Sequence, residues 1–106
     1  MPDEVANEHL KANAVPPVTA SWHTIGNFAL TFDGYKAIGQ SECGQLANRV
    51  NREFSTNVPF LQSLSVTELR ACLFFEQRRF HHFGCEPLGA ARIYINALLE
   101  AIRSRI

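Results

Sequence analysis

A chain of 106 residues, 46% apolar and 19% charged, has room for one hydrophobic core and the composition of a globular domain, which excludes a disordered polymer. Ten basic and ten acidic residues cancel, so no global positive charge favours a phosphate backbone, which argues against nucleic acid as a partner. Near-zero charge also leaves little repulsion between copies. The three cysteines, Cys43, Cys72 and Cys85, have no CxxC spacing. They argue against a secreted disulfide scaffold and for reduced thiols, so the expected location is cytoplasmic.

Residues 1–20, with Pro2, Pro16 and Pro17 and little periodicity, read as a flexible N-terminal arm that orders on contact. Their polar start holds no apolar run, so neither a signal peptide nor a membrane span is expected. Residues 21–106 read as a single helical domain.

Between 21 and 38, Ile25, Phe28, Ala29, Phe32 and Tyr35 follow the spacing of a helix face, with Thr24 as N-cap. A hairpin competes: Phe28, Leu30 and Phe32 alternate as in a strand, and Asp33-Gly34 suits a type I′ turn into a second strand over 35–38. The helix is preferred because its pattern runs longer and no partner strands occur elsewhere. An isolated hairpin is marginal.

Ser41 reads as the cap of a second helix reaching about residue 54, with Cys43, Leu46, Ala47, Val50 and Phe54 as its apolar stripe and Arg49, Asn51 and Arg52 outside it. Residues 55–63 read as a connector that tucks Phe60 and Leu61 inward. Next comes the strongest local signal. Ser65 and Glu68 have capping-box spacing, Leu64 and Leu69 stand at the staple positions, and Gly84 stands where a helix ends left-handed. A fourth helix over 88–105 puts Leu88, Ala91, Ile95, Leu98, Leu99, Ile102 and Ile106 on one face and Arg92, Asn96, Glu100 and Arg103 toward solvent. Pro87 suits its first turn. The expected architecture is an all-α bundle of about four helices, with an α+β variant if residues 28–38 form the hairpin.

On a wheel of the third helix, Leu69, Cys72, Leu73, Phe80 and Phe83 share an arc whose centre is Glu76. A carboxylate placed there loses water and needs a cation or donors. Arg79, Tyr35 and Lys36 are the candidates, and Glu76, Arg79 and Tyr35 form the expected buried polar group. A structural acid is the simpler reading. The catalytic candidates are Glu76, His81 and His82, in the roles of general acid or base.

Phe74 and Phe75 fall on the back of that helix, among Arg70, Arg78, His81 and His82. Aromatic and Arg residues outside a core stripe are typical interface anchors. With Ile93 and Tyr94, which stray from the stripe of the fourth helix, the expected interface is Phe74, Phe75, Arg78, His82, Ile93 and Tyr94.

His81, His82 and Cys85 lack the pairing of a zinc site. Glu76 and Glu100 are followed at i+3 by Arg79 and Arg103 rather than His, against a di-iron bundle. No metal and no cofactor is expected. Cys43 and Cys72 read as core thiols and Cys85 as the one reactive candidate. No phosphate loop or nucleophile elbow is present.

The functional reading is a small intracellular, non-enzymatic module that self-associates as a homodimer or other homo-oligomer, or binds a protein partner. The competing reading is an RNA-binding or RNA-processing domain using Glu76, Arg78, Arg79, His81 and His82.

Overall fold

The computed structural model describes residues 14–32, 39–54 and 58–105. Tyr35, Lys36 and the Asp33-Gly34 turn position lie outside these residues. In chain order the helices are α1 Trp22–Leu30, α2 Gln40–Phe54, a 3-10 helix Val58–Ser63, α3 Val66–Phe83 and α4 Ala90–Ser104. No strand occurs among the described residues. The chain is an all-α bundle, and the strand proposed over Phe28 and Leu30 is instead part of α1.

α3 is the central element and packs against α1, α2 and α4. Its start follows its sequence signal. The Ser65 hydroxyl accepts from the Glu68 N–H at 3.1 Å, and Glu68 Oε1 accepts from the Ser65 N–H at 2.9 Å, so two backbone donors are satisfied reciprocally. The staple residues Leu64 and Leu69 are both buried. Gly84 ends the helix at φ 69°, a left-handed turn that carries no penalty without a Cβ. Leu69, Cys72 and Leu73 are sealed in the core, whereas Phe83, expected on the same arc, is 68% exposed. It is the last residue of the helix, where the chain turns away.

α1 starts earlier and stops sooner than its periodicity implies. Ser21 is the N-cap rather than Thr24, its hydroxyl accepting from the Thr24 N–H at 3.2 Å. The helix tightens and stops as the Thr31 and Phe32 N–H groups bond to the carbonyls three residues back, a common way to satisfy last-turn acceptors. Ile25, Phe28, Ala29 and Phe32 are nonetheless all buried. The apolar face survives the change of backbone.

α2 begins one residue before Ser41, which therefore lies inside the first turn. The Gly39 carbonyl accepts the Cys43 N–H at 3.0 Å. Cys43, Ala47 and Val50 are buried, and Leu46 and Phe54 are partly buried against the core. The connector is a 3-10 helix that buries Leu61.

α4 begins later than expected. Its N-cap is Gly89, at φ 58° and ψ −129°, a region that side chains with a Cβ scarcely enter. Pro87 is thus a buried part of the link rather than a first-turn residue. Leu88, placed on the core face by periodicity, precedes the helix and is 76% exposed. Ile95, Leu98, Leu99 and Ile102 are fully buried as the stripe implies.

Two further expectations change together. Residues 14–20 belong by composition to the flexible arm, yet Val15 is 2% exposed and part of the main core. Arg92 and Arg103, assigned to solvent, are what hold this segment. Arg92 Nη2 donates to the Val18 and Ala20 carbonyls at 2.9 and 2.7 Å, and Arg103 Nη1 donates to the Val15 carbonyl at 2.9 Å. Arg105 similarly donates to the Gln62 and Leu64 carbonyls beside the 3-10 helix. Guanidinium donors on α4 thereby satisfy carbonyls that irregular backbone leaves open.

Candidate functional site

Glu76 lies near the middle of α3 and is 4% exposed. Both carboxylate oxygens are engaged. Oε2 accepts from Arg79 Nη2 at 2.6 Å, and Oε1 accepts from Asn51 Nδ2 on α2 at 3.1 Å. The Arg79 side chain is 46% exposed and stacks over the Phe80 ring, its guanidinium carbon 5.1 Å from the centroid. The ion pair thus has a sealed end and a wet end. Asn51, assigned to the outside of its helix by the wheel, is the partner that sequence reasoning missed. An amide side chain one turn from Ala47 and beside Val50 is the only signal it gave.

Tyr94 is an interface candidate that the structure places in the core. It is 3% exposed, with its ring 5.1 Å from that of Phe54. Its hydroxyl lies beside the Cys72 thiol and has no oxygen or nitrogen partner among the described residues. Burial raises the Tyr94 pKa, and the nearby Cys72 and Glu76 add to the rise. Burial also pushes the Cys72 thiol up to about 12. A thiol so far from ionising is no nucleophile at neutral pH. Cys43 is buried too, with its pKa raised by burial and by Glu42. Cys85 is exposed.

Phe74 and Phe75 are covered in good part by their own chain. They pack against Phe32, Cys43 and Ala71, with ring centroids 5.9 Å apart for Phe32 and Phe74 and 5.7 Å for Phe74 and Phe75. The end of α1 and the start of α2 supply that cover. Arg70, read as part of the basic back surface, is 6% exposed. Its Nη2 donates to the Thr31 hydroxyl at 2.7 Å, and its guanidinium lies 5.1 Å from the Phe28 centroid and 5.8 Å from that of Phe32.

His81 and His82 are exposed on the last turn of α3. His81 lines a shallow cleft of about 300 Å3 with Trp22, Gln77, Phe80, Gly84, Cys85 and Glu86. Glu76 is not in its walls. A general base needs a lone pair that substrate can reach, and Glu76 offers none, so acid and imidazoles do not meet in this opening. No group of three or more His, Cys, Asp or Glu among the described residues is disposed to hold a metal ion.

The remaining candidates, Arg78, His82 and Ile93, are exposed, the first two on the last two turns of α3 and the third on the first turn of α4. Phe83 and Leu88 lie between His82 and Ile93 in the chain. With Ile93 at 62%, these are three of the four large apolar side chains that stand well exposed among the described residues. The domain so defined is a four-helix bundle with a buried, ion-paired acid at its centre and exposed apolar side chains on both sides of the turn from α3 to α4. No protein-family model, curated protein or solved structure matches the chain. Among the described residues no helix is long and apolar enough to cross a membrane.

Proposed function

We propose that this protein works by association, as a small intracellular, non-enzymatic helical module whose interface is the corner between α3 and α4. The observation that carries this reading is the exposure of Phe83, Leu88 and Ile93 within one reversal of the chain. Large apolar side chains grouped on a surface mark sites that meet a partner. Arg78, His82 and Glu86 on the same stretch of chain are exposed too, and His82 packs edge-on to Phe83 with ring centroids 5.5 Å apart, which would supply the polar rim with aromatic and apolar anchors that interfaces share. The corner carries both signs of charge and the chain as a whole is neutral, so a second copy meets no net repulsion. A homodimer is the proposed assembly.

This reading keeps Arg78, His82 and Ile93 from the sequence and replaces Phe74, Phe75 and Tyr94, which serve the fold. The test is light scattering over a concentration series from micromolar to millimolar. The native chain is expected to reach a dimer mass. The triple variant Phe83→Ser, Leu88→Ser, Ile93→Ser, altered only at exposed positions, is expected to stay monomeric with an unchanged helical spectrum. A monomer mass for the native chain throughout, or an undiminished dimer in the variant, overturns the proposal.

A further inference from the structure

Three features meet in the cleft where α3 ends, and each favours a positive charge. The first is aromatic. Trp22 and Phe80 both line the cleft, with ring planes 78° apart and centroids 6.2 Å apart. Rings so set form a corner, and the face of an aromatic ring attracts a cation, Trp most strongly. Phe80 already does so within the chain, since the Arg79 guanidinium lies 5.1 Å over its ring.

The second feature is the charge of the walls. Among the described residues that line the cleft, Glu86 is the only Asp, Glu, Lys or Arg. Arg79 is not one of them and is paired with Glu76. The third feature is the backbone. The Gly84 and Cys85 N–H groups turn back onto the His81 and Phe80 carbonyls, each at 3.2 Å, so neither is offered to an anion. What the last turn of α3 presents is the carbonyl end of a helix, which is the negative end of its dipole. At the start of α1, beside Trp22, the Thr24 N–H is satisfied by the Ser21 hydroxyl. The Gln77 side-chain carbonyl is buried without a hydrogen-bond partner. An unmet acceptor costs free energy, and the terminal torsion of an amide is broad enough to turn it toward a donor.

We propose that this cleft is a binding site for a small organic ammonium, its alkylated nitrogen against Trp22 and Phe80 and its charge beside Glu86. The volume of about 300 Å3 stands at the low end of the roughly 300–1,000 Å3 of ligand pockets, so the occupant is a compact free molecule, of the kind that choline represents. Glu86 is the only residue that the cleft shares with the proposed corner interface, and neither assignment needs the other.

Trp22 is the single tryptophan of the chain, so its fluorescence reports this site alone. Choline added to the full chain at neutral pH is expected to change the emission saturably. Its neutral isostere, 3,3-dimethylbutan-1-ol, is expected to bind at least about tenfold more weakly, because shape is kept and charge is lost. Glu86→Gln, at an exposed position, is expected to weaken choline binding about threefold or more. A second readout is alkylation of Cys85, which is exposed while Cys43 and Cys72 are buried. Choline is expected to slow it in the native chain and not in Trp22→Leu; if Trp22→Leu fails to fold, Glu86→Gln takes its place. Ile93→Ser is expected to bind choline as the native chain does, and a loss there would move the binding to the corner. No saturable response, equal binding of the isostere, or affinity indifferent to Glu86→Gln overturns the proposal. A peptide carrying trimethyllysine that binds about tenfold tighter than choline would give the cleft to a protein partner and overturn the small-molecule assignment.

Discussion

Asn51 on α2 donates to a carboxylate oxygen of Glu76 on α3 at 3.1 Å, a polar tie between two helices that also meet through core side chains such as Val50 and Leu73. Removing the donor leaves a charged oxygen buried short of one partner, which costs more than the net value of the bond. Asn51→Ala is expected to lower stability by about 1–3 kcal/mol in urea unfolding. In a Glu76→Gln background the same substitution is expected to cost about 1 kcal/mol less, because the oxygen left behind is no longer ionised. Equal costs in the two backgrounds would show that the pair is uncoupled.

Stability is expected to fall on the alkaline side. The Cys72 pKa rises from 9.0 to about 12 on folding because burial disfavours the thiolate, and burial raises those of Cys43 and Tyr94 as well. Above the unfolded thiol pKa the unfolded chain releases protons that the folded chain retains, so the folded state loses ground. For Cys72 the loss is roughly 1.4 kcal/mol per pH unit between about pH 9 and 12, and none below. Urea midpoints at neutral pH and at stepwise higher values measure it. Cys72→Ala is expected to flatten that slope, and an unchanged slope would remove Cys72 from the account.

Arg70 is expected to behave as a core residue despite its charge. Its planar guanidinium both stacks over Phe28 and Phe32 and donates to Thr31, and an ammonium cannot reproduce that combination. Arg70→Lys is therefore expected to cost about 1–3 kcal/mol, read as a drop of several degrees in Tm for a domain of this size. Arg78→Lys on the exposed side of the same helix is expected to change Tm little. Equal effects at the two positions would contradict the burial of Arg70.

Local signals and short-range periodicity were readable in the chain wherever the structure that answers them is also local. The capping box of α3, its glycine terminus and the stripes of α2 and α4 each depend on residues a few positions apart. Glu76 was legible for the same reason: the wheel alone puts it among Leu69, Cys72 and Leu73. The reading failed where a helix end or a side chain's direction depends on a distant segment. Leu88 has the right spacing for α4 but falls outside it, since Gly89 takes up a backbone conformation that starts the helix at Ala90, two residues later than expected. Tyr94 looked like surface because it strays from the stripe, but Phe54 arrives from α2 to cover it.

The same division explains the arginines. All ten basic residues look alike in a net charge of zero, and helical spacing sends Arg70, Arg92 and Arg103 outward. Only packing decides which of them meet a backbone carbonyl or an aromatic face: Arg70 meets the end of α1, and Arg92 and Arg103 meet residues 15–20. A long side chain can serve either water or a neighbour, and nothing within one turn of helix says which.

By itself the sequence determined the ends of α3, the core stripes of α2 and α4 and the one acid at the centre of α3, and it favoured an all-α chain over an α+β variant, because these follow from backbone capping and from the 3.6-residue period. The tertiary structure decided what that acid binds, that Phe74 and Phe75 are covered by their own chain, that Phe83, Leu88 and Ile93 are left uncovered, and that residues 14–20 are docked. These are contacts between segments far apart in the chain, and their energy exists only once the segments have met.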